Sequence, residues 1–283
     1  MTEKFSSGDD FNAISAVMRA EVQNARRALG RIGGDPILGV HEARKAIKKV
    51  RSNARLIRKG DKTASRRINA AGRRAANILE EARDADSLEQ IARAASMKCE
   101  HAGLARALRD EADRAREDSR RVRRGEAADQ CRTALDALES EIGRLEPFDK
   151  PRKAMLKGLA RTYKRAVKRL DDAKDEPDPH RLHELRKRVK DWRYHVTVCK
   201  RLWPDTLERQ KSDANALADI LGDHHDLSRL IARLDDRAGA CDDRAIEELE
   251  EAQERLCERA LDAAEDVFDL SPSKAKKRLL DSL

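Results

Sequence analysis

The stretch VHEARKAIKKVRSNARLIR at residues 40–58 and its near copy LHELRKRVKDWRYHVTVCKR at residues 182–201 decide the fold. In the first copy, apolar residues recur at alternating steps of three and four from Val40 to Ile57, which predicts an amphipathic helix. Basic residues follow the same steps one position later, from His41 to Arg55. One residue is about 100° around a helix, so a basic stripe is predicted beside the core-facing stripe.

The second copy repeats both stripes, and their cations lack partners nearby in the sequence. Exposed helix charges usually meet an opposite charge three or four residues away. Unpaired cations beside a core are costly unless water or an anion neutralises them. The pattern therefore indicates a site for a negatively charged ligand. The side chains with no Asp or Glu at those spacings are Arg44, Lys48, Arg51, Arg186, Lys190 and Arg193.

Positive charge is concentrated in these two segments. The chain has a net charge of +8, and residues 40–58 carry seven Lys or Arg against one Glu. Residues 182–201 carry seven against two acids, so the rest of the chain is slightly acidic. Such localisation implies an anionic partner more strongly than the overall charge does.

A single offset of 142 residues relates the two halves of the chain. It holds from Arg19, which maps onto Arg161, to Asp84, which maps onto Asp226. Two homologous helical bundles related by an approximate two-fold axis are therefore predicted, each presenting its basic helix to a shared surface. Within the basic helices the offset pairs His41 with His183, Arg44 with Arg186, Lys45 with Lys187, Lys48 with Lys190, and Arg51 with Arg193.

The composition predicts an all-α protein. Charged residues make up 40% of the 283 residues and aromatic residues 3%, and Ala, Arg, Glu and Leu favour helix. Proline and charge near residues 147–151 mark a boundary, which predicts a first bundle over 11–146, a second over 152–283 and a disordered leader over 1–10. Helix breaks are predicted between residues 83 and 84 and between 222 and 226.

The five cysteines are odd in number and form no C-x-x-C pair, which indicates a reduced protein without a disulfide framework. No uncharged run approaches the roughly 20 residues needed to span a bilayer, and the N-terminus has no apolar signal core. We therefore expect a cytoplasmic protein without a membrane partner.

The histidines of the basic helices are predicted to lie in the first helical turn, where added positive charge is disfavoured. A neutral imidazole that donates a hydrogen bond to an anion fits this position, as does a packing role. No Ser or Cys nucleophile recurs beside either histidine, so no catalytic residue and no enzymatic activity are expected.

The run LGDHHD at residues 221–226 has the residue types of a metal site. Arg83 stands where His225 stands in the other half, so we expect no metal. Asp84 and Asp226 are instead predicted to cap the following helix or to hold a basic side chain. Gly33-Gly34 is not followed by G-K-[S/T], so no nucleotide phosphate loop and no cofactor are expected.

At these residues the chain resembles the CHAD family, the conserved histidine α-helical domain. VHEARKAIKKVR, LHELRKRVKDWRYH, LARTYKRAVKRL and LADILGDHHDL carry the resemblance, which extends from about Phe11 to Leu270. It implies two four-helix bundles about a pseudo-two-fold axis. It also implies a basic groove or channel between them that binds inorganic polyphosphate without catalysis.

The motif positions imply which residues contact that ligand. They are His41, Arg44, Lys48, Arg51, His183, Arg186, Lys190 and Arg193 in the basic helices, and Arg19, Arg161 and Arg165 in the helices that precede them. Lys45, Arg55 and Lys187 complete the candidate polyphosphate-binding set.

Three functions remain open from the sequence. The first is a polyphosphate-binding module that locates itself or a partner at polyphosphate granules. The second is a general nucleic-acid-binding protein, against which the scarcity of aromatic residues counts. The third is an enzyme of phosphate metabolism or an accessory to one. An enzyme would need an acidic metal cluster or an activated nucleophile in the groove, and neither is visible.

Overall fold

A computed structural model describes residues 7–98, 102–121, 124–202, 207–235 and 243–281. Within these ranges every regular element is a helix, which confirms the all-α prediction. The helices are α1 (Ser7–Gly30), α2 (Pro36–Leu56, extended by a 3₁₀ turn at Ile57–Lys59), α3 (Lys62–Ile78), α4 (Glu80–Lys98), α5 (Ala102–Arg121), α6 (Arg124–Gly143), α7 (Pro151–Asp175), α8 (Pro179–Leu202), α9 (Glu208–Asp235), α10 (Asp243–Val267) and α11 (Pro272–Asp281).

Helices α1, α2, α3 and α6 pack together around the apolar stripe of α2. Asp35 caps α2 by accepting a hydrogen bond from the backbone N–H of Leu38 at 3.0 Å, and Pro36 occupies the first turn. Both features are favoured at a helix start. The predicted core stripe is confirmed, because its members are all buried, namely Val40, Ala43, Ile47, Val50, Ala54 and Ile57.

Helices α7 to α10 form a second packed group, and α11 lies against α7. An aromatic cluster joins α7, α8 and α10, in which Tyr163 contacts Trp192 and Phe268 with ring centroids 5.4 and 5.2 Å apart. The Tyr163 hydroxyl donates a hydrogen bond to the carbonyl of Leu270 at 3.0 Å. This polar tip is satisfied while the ring is buried, as aromatic residues with a hydroxyl require.

Helices α4 and α5 pair with each other and rest on α9, outside the first group. Their apolar contacts form a small cluster separate from the main core, to which Leu104 and Leu108 of α5 and Leu230 and Leu234 of α9 contribute. The main core, by contrast, runs continuously through residues of both halves. The two-fold relation and the domain limits at 11–146 and 152–283 stay predictions.

The two basic helices α2 and α8 are joined by a buried histidine. His195 is buried, and burial lowers its pKa to about 4, so the ring is neutral. The carbonyl oxygen of Ser52 can only accept, so Nε2 of His195 donates to it at 2.8 Å. Nδ1 then accepts from the Thr162 hydroxyl at 3.0 Å. This chain of bonds fixes the register of α8 against α2 and α7.

Several predicted helix limits are wrong. Helix α1 begins at Ser7 rather than Phe11, so residues 7–10 are helical, while residues 1–6 of the predicted leader lie outside the described residues. Helices α2 and α8 begin before their basic stretches, which moves His41 and His183 beyond the first turn. Trp203-Pro204-Asp205, whose proline predicts the end of the second basic helix, lies outside the described residues.

The predicted break after residue 222 is also wrong, because α9 continues through Gly222 from Glu208 to Asp235. In the first half the chain does break, but at Leu79 rather than after residue 83. Asp84 and Asp226 therefore lie inside α4 and α9, and neither caps a helix.

No helix in the described part of the chain combines the length and apolar composition that crossing a bilayer requires. Cys131, Cys199 and Cys257 are free thiols, whereas Cys99 and Cys241 lie outside the described residues.

Gly158 allows α7 to cross the end of α2 at close range. A Cβ added there would overlap the carbonyl oxygen of Leu56. We expect Gly158→Ala to lower the free energy of unfolding by about 1–3 kcal/mol, because backbone atoms on both sides must shift. Gly125→Ala is the matched control in α6, where nothing lies within 4 Å and a small gain in stability is expected. Equal effects in chemical denaturation would contradict a close crossing.

Candidate anion-binding site

A cavity of about 780 Å³ lies between α2, α3, α4, α8 and α9, with one contribution from α7. Of the twenty described residues that line it, eleven are Lys or Arg and three are Asp or Glu, so it carries a large excess of positive charge. The lining residues are Arg44, Lys48, Arg51, Arg55, Asn69, Ala76, Asn77, Glu80, Arg83, Asp84, Arg165, His183, Arg186, Lys187, Arg188, Lys190, Asp191, Tyr194, His225 and Arg229.

Two lysines, one from each half, illustrate how crowded these cations are. Burial, followed by the nearby charges of Arg44 and Arg83, lowers the pKa of Lys48 to about 8. Burial likewise lowers the pKa of Lys190 to about 7, followed by the charges of Arg186 and Lys48. Since opposite charges would raise these values, the cavity without a ligand lacks the negative charge to balance its cations.

Four cations of the basic stripes form no ion pair with a carboxylate among the described residues: Lys48, Arg51, Arg186 and Lys190. Arg51 instead donates from Nε to the side-chain carbonyl of Asn69 at 3.4 Å. The same oxygen accepts from Nη1 of Arg55 at 3.1 Å. Gly72 leaves room for the Arg51 stem, because a Cβ there would lie 2.6 Å from Arg51 Cγ. These contacts hold Arg51 in the cavity without neutralising it.

Other cations of the stripes do have carboxylate partners, contrary to the expectation from the sequence. Arg44 lies 3.5 Å from Glu80, and Arg193 lies 3.9 Å from Asp219. These acids are 57% and 77% exposed, so each pair is weakened by solvent. Arg55 donates to the carboxylate of Asp191 across the two halves. The partners come from other helices, which local spacing in the sequence cannot reveal.

The equivalent residues Arg44 and Arg186 are used differently. The Arg44 side chain is buried and donates from Nη1 to the carbonyl of Ala76, at the C-terminal end of α3. Free carbonyls at a helix end favour a cation there. Because α9 is continuous, it offers Arg186 no free carbonyls at a helix end. The Arg186 guanidinium instead passes over Gly222, where an added Cβ would lie 3.7 Å from Nη2 of Arg186. The second half therefore presents the freer guanidinium.

Two histidines occupy the wall of the cavity between α8 and α9. Nδ1 of His183 lies 3.2 Å from Nδ1 of His225, with ring centroids 4.3 Å apart. Burial, followed by neighbouring cations, lowers the pKa of His183 to about 4 and that of His225 to about 3. Both rings are thus neutral near pH 7, and one donates to the other.

Asp84 of α4 holds a basic side chain in place, as one of the two sequence readings predicted, whereas for Asp226 of α9 that reading stays a prediction. Asp84 accepts from Nη1 of Arg83 at 2.8 Å, and its backbone carbonyl accepts from Nη2 of Arg229 at 3.4 Å. Asp226 is half-buried, and burial raises its pKa. Burial lowers the pKa of Arg186, and the negative charge of Asp226 is the largest influence that raises it.

The structure brings most of the predicted residues to the cavity. Those that line it are Arg44, Lys48, Arg51, Arg55, Arg165, His183, Arg186, Lys187 and Lys190. The others lie elsewhere: Arg19, His41 and Lys45 are exposed outside the lining, Arg161 lines a smaller adjoining cavity, and Arg193 points to Asp219 and the Tyr194 ring.

Sequence reasoning missed several lining residues, chiefly Asn69, Arg83, Arg188, Tyr194 and Arg229. The 142-residue offset gave no signal for Arg229, because its counterpart is Ser87, to whose hydroxyl it donates at 3.2 Å. Asn69 has no such signal either, since it reaches the site through the packing of α3 on α2. Within the described ranges, no group of three or more His, Cys, Asp or Glu side chains converges as metal ligands do.

The arrangement of helices and the basic cavity can now be compared with known proteins. The CHAD domain family matches residues 16–235. The chain belongs to the CHAD family. Its fold resembles the crystal structure of the CHAD domain from the plant Ricinus communis, with a TM-score of 0.61 and 18% identity, over 92% of each chain. It also resembles PptA from Streptomyces chartreusis, with a TM-score of 0.59 and 17% identity, over 92% of this chain and 99% of that chain.

At these identities the two structures establish the fold and nothing finer. Comparison with the curated proteins finds no match. The ligand of this CHAD cavity has therefore to be argued from its own side chains.

Burial of the cavity lysines, together with repulsion among the cavity cations, should make the ligand-free protein more stable as the pH rises. The folded state loses protons from Lys190 and Lys48 near pH 7 and 8, whereas unfolded lysine keeps its proton to about pH 10.4. The unfolded state thus binds more protons above pH 7, so these lysines make the free energy of unfolding increase with pH. We expect Lys48→Gln/Lys190→Gln to raise the melting temperature at pH 7 and to flatten its increase between pH 7 and 8.5.

Lys45→Gln is the control for this experiment, because Lys45 is exposed outside the cavity and pairs with Glu42 at 3.3 Å. Buried thiols oppose the effect at higher pH, since burial raises the pKa of Cys131 to about 12. The difference between variant and wild type removes that contribution. An unchanged slope in the double variant would contradict the lowered pKa values of Lys48 and Lys190.

Proposed function

We propose that this CHAD protein binds inorganic polyphosphate in the cavity between its two basic helices and catalyses no reaction on it. The observation that carries the proposal is the set of four stripe cations, Lys48, Arg51, Arg186 and Lys190, that face one cavity from both halves without a carboxylate partner among the described residues. A ligand that brings several closely spaced negative charges would relieve their repulsion.

A linear polyanion matches the spacing of these cations. Successive stripe positions are about 5 Å apart along a helix axis, so each helix offers a row of positive charge rather than one point. Guanidinium groups can bind phosphate oxygens bidentately, and the two arginines of this set supply that geometry. The resemblance to the CHAD family implied the same ligand from the motifs.

The binding role is favoured over catalysis by the chemistry of the lining. His183 and His225 donate and accept within their own pair. Asp191 and Asp84 are bonded to arginines, which makes them poor general bases. We infer that a protein of this kind serves to hold polyphosphate or to locate itself on polyphosphate granules.

Nucleic acid is the second candidate, and the lining argues against it. Single-stranded nucleic acid is usually held by aromatic side chains on which bases stack. Tyr194 is the only Phe, Tyr or Trp among the described lining residues, and its ring is in contact with Arg193 at 5.3 Å. A phosphate chain without bases needs no such platform.

Removing two unpaired cations should abolish most of the binding without harming the fold. We expect Arg186→Gln/Lys190→Gln to weaken long-chain polyphosphate binding at least about 100-fold, since each of the two lost charge-assisted contacts contributes about 1.5–3 kcal/mol. The melting temperature without ligand should stay the same or rise. The measurements are isothermal titration calorimetry and thermal unfolding.

Lys164→Gln/Lys168→Gln is the charge-matched control. Both lysines are exposed on α7 and line no described cavity, so the net charge of the chain changes equally while the cavity is intact. A similar loss of binding in this control would mean that general charge, not the cavity, holds the ligand. A lowered melting temperature in the cavity variant would assign Arg186 and Lys190 a structural role.

Competition with DNA tests ligand identity. At physiological ionic strength we expect long-chain polyphosphate to displace duplex DNA of equal total charge, because the cavity admits a narrow chain and not a duplex. Affinity should fall steeply as salt is raised, since screening weakens phosphate contacts. The readout is fluorescence anisotropy of labelled DNA. Equal affinity for the two polymers would overturn the preference for polyphosphate.

A further inference from the structure

A second, smaller cavity of about 40 Å³ adjoins the main one. The two share part of their walls, so the smaller cavity lies at one end of the main one. Beyond the shared wall the smaller cavity offers Arg58 and Arg161. The shared residues are Arg55, Arg165, Arg188 and Asp191.

Asp191 uses both carboxylate oxygens at this junction. Oδ1 accepts from Nη2 of Arg55 on α2, and Oδ2 accepts from Nη1 of Arg188 at 3.2 Å. Its side chain is only 13% exposed. Two guanidinium groups converge on it, as they would on a phosphate group of a ligand. Among the described lining residues of the smaller cavity, it is the one acid.

The charge of Asp191 also reaches cations that it does not contact. Burial lowers the pKa of Arg51, which lies in the main cavity, and that of Arg165 in the shared wall. The negative charge of Asp191 acts to raise both values. The carboxylate therefore lowers the positive potential along one end of the basic row. By contrast, the neighbouring charges that act on the pKa values of Lys48 and Lys190 are mainly those of cations.

We propose that Asp191 is an internal anion that occupies the phosphate position between Arg55 and Arg188 and so limits the length of polyphosphate held in the main cavity. The proposal rests on the function proposed above and adds a residue that determines chain-length preference. A bound chain spans the four unpaired cations and stops at Asp191. Arg58, on the far side, does not contribute while the carboxylate is present.

Asp191→Asn tests the proposal with the shape of the side chain preserved. The amide oxygen still accepts from one arginine, while the negative charge is removed. We expect affinity for long-chain polyphosphate to increase about tenfold at 0.15 M salt, because the repulsion from one negative unit charge near the ligand is removed. Tripolyphosphate, which brings only three phosphate groups to the four unpaired cations, should gain less. Both affinities are measured by isothermal titration calorimetry.

Asp219→Asn is the matched control. It removes one carboxylate from the same helical group, but its partner Arg193 lies outside the cavity lining. We expect affinity for both phosphate chains to stay within about twofold of wild type, because solvent screens an exposed charge at this distance. A tenfold gain in this control would overturn a specific role for Asp191.

Arg58→Gln provides a test that leaves Asp191 intact, in case Asp191→Asn does not fold. In the wild-type background it should leave long-chain affinity unchanged, and in the Asp191→Asn background it should remove the advantage of long chains over tripolyphosphate. A loss of wild-type affinity on Arg58→Gln would overturn the proposal, as would weaker binding by Asp191→Asn.

The outcomes separate this inference from the proposed function. Tight binding of polyphosphate by wild type, with no gain in Asp191→Asn, overturns the inference alone. Binding by Asp191→Asn but not by wild type overturns the proposed function and the inference with it, because the wild type then holds no chain whose length Asp191 could limit. Failure of both proteins to bind overturns both.

Discussion

The packing of α2 against α8 is the constraint on which the site depends. Each helix buries an apolar stripe, and its basic stripe lies one residue away, about 100° around the axis. Once the buried stripes and the bond between His195 and the Ser52 carbonyl fix the rotation of both helices, the direction of both basic rows is fixed as well. The cavity thus follows from core packing, and the basic side chains that line it have little freedom to point out of it.

The positive charge of the cavity has a cost that the rest of the fold must offset. Burial of an apolar side chain contributes about 1.5–3 kcal/mol, and the main core runs through both halves. Part of the repulsion is relieved locally: Arg44 binds the end of α3, and Arg55 and Arg188 share Asp191. The remainder, on Lys48, Arg51, Arg186 and Lys190, is left for a ligand. A cavity of this kind is organised before its ligand arrives, which lowers the entropy cost of binding.

The sequence was sufficient for features that repeat along one helix and insufficient for those that depend on contacts between helices. It predicted the all-α fold, the buried stripes of α2 and α8, and nine of the lining residues. It placed His41 and Arg193 with the other stripe cations, although His41 is exposed outside the cavity lining and Arg193 lies near Asp219 and the Tyr194 ring. It missed Asn69 and Asp191, because an amide or an acid contributed by packing has no periodic signature. It also read Gly222 as a helix break, whereas α9 continues through that residue.

The two halves show how a repeated sequence can yield unequal roles. Position 44 and position 186 carry the same residue in the same register, yet Arg44 is committed to the carbonyl of Ala76 because α3 ends there. Arg186 faces a continuous helix and keeps its guanidinium available. Whether an equivalent cation is structural or free to bind is therefore decided by the neighbouring helix, through whether that helix ends or continues. A two-fold pattern in the sequence does not imply a two-fold pattern of charge available to a ligand, and an asymmetric cavity can give a symmetric polyanion one preferred end.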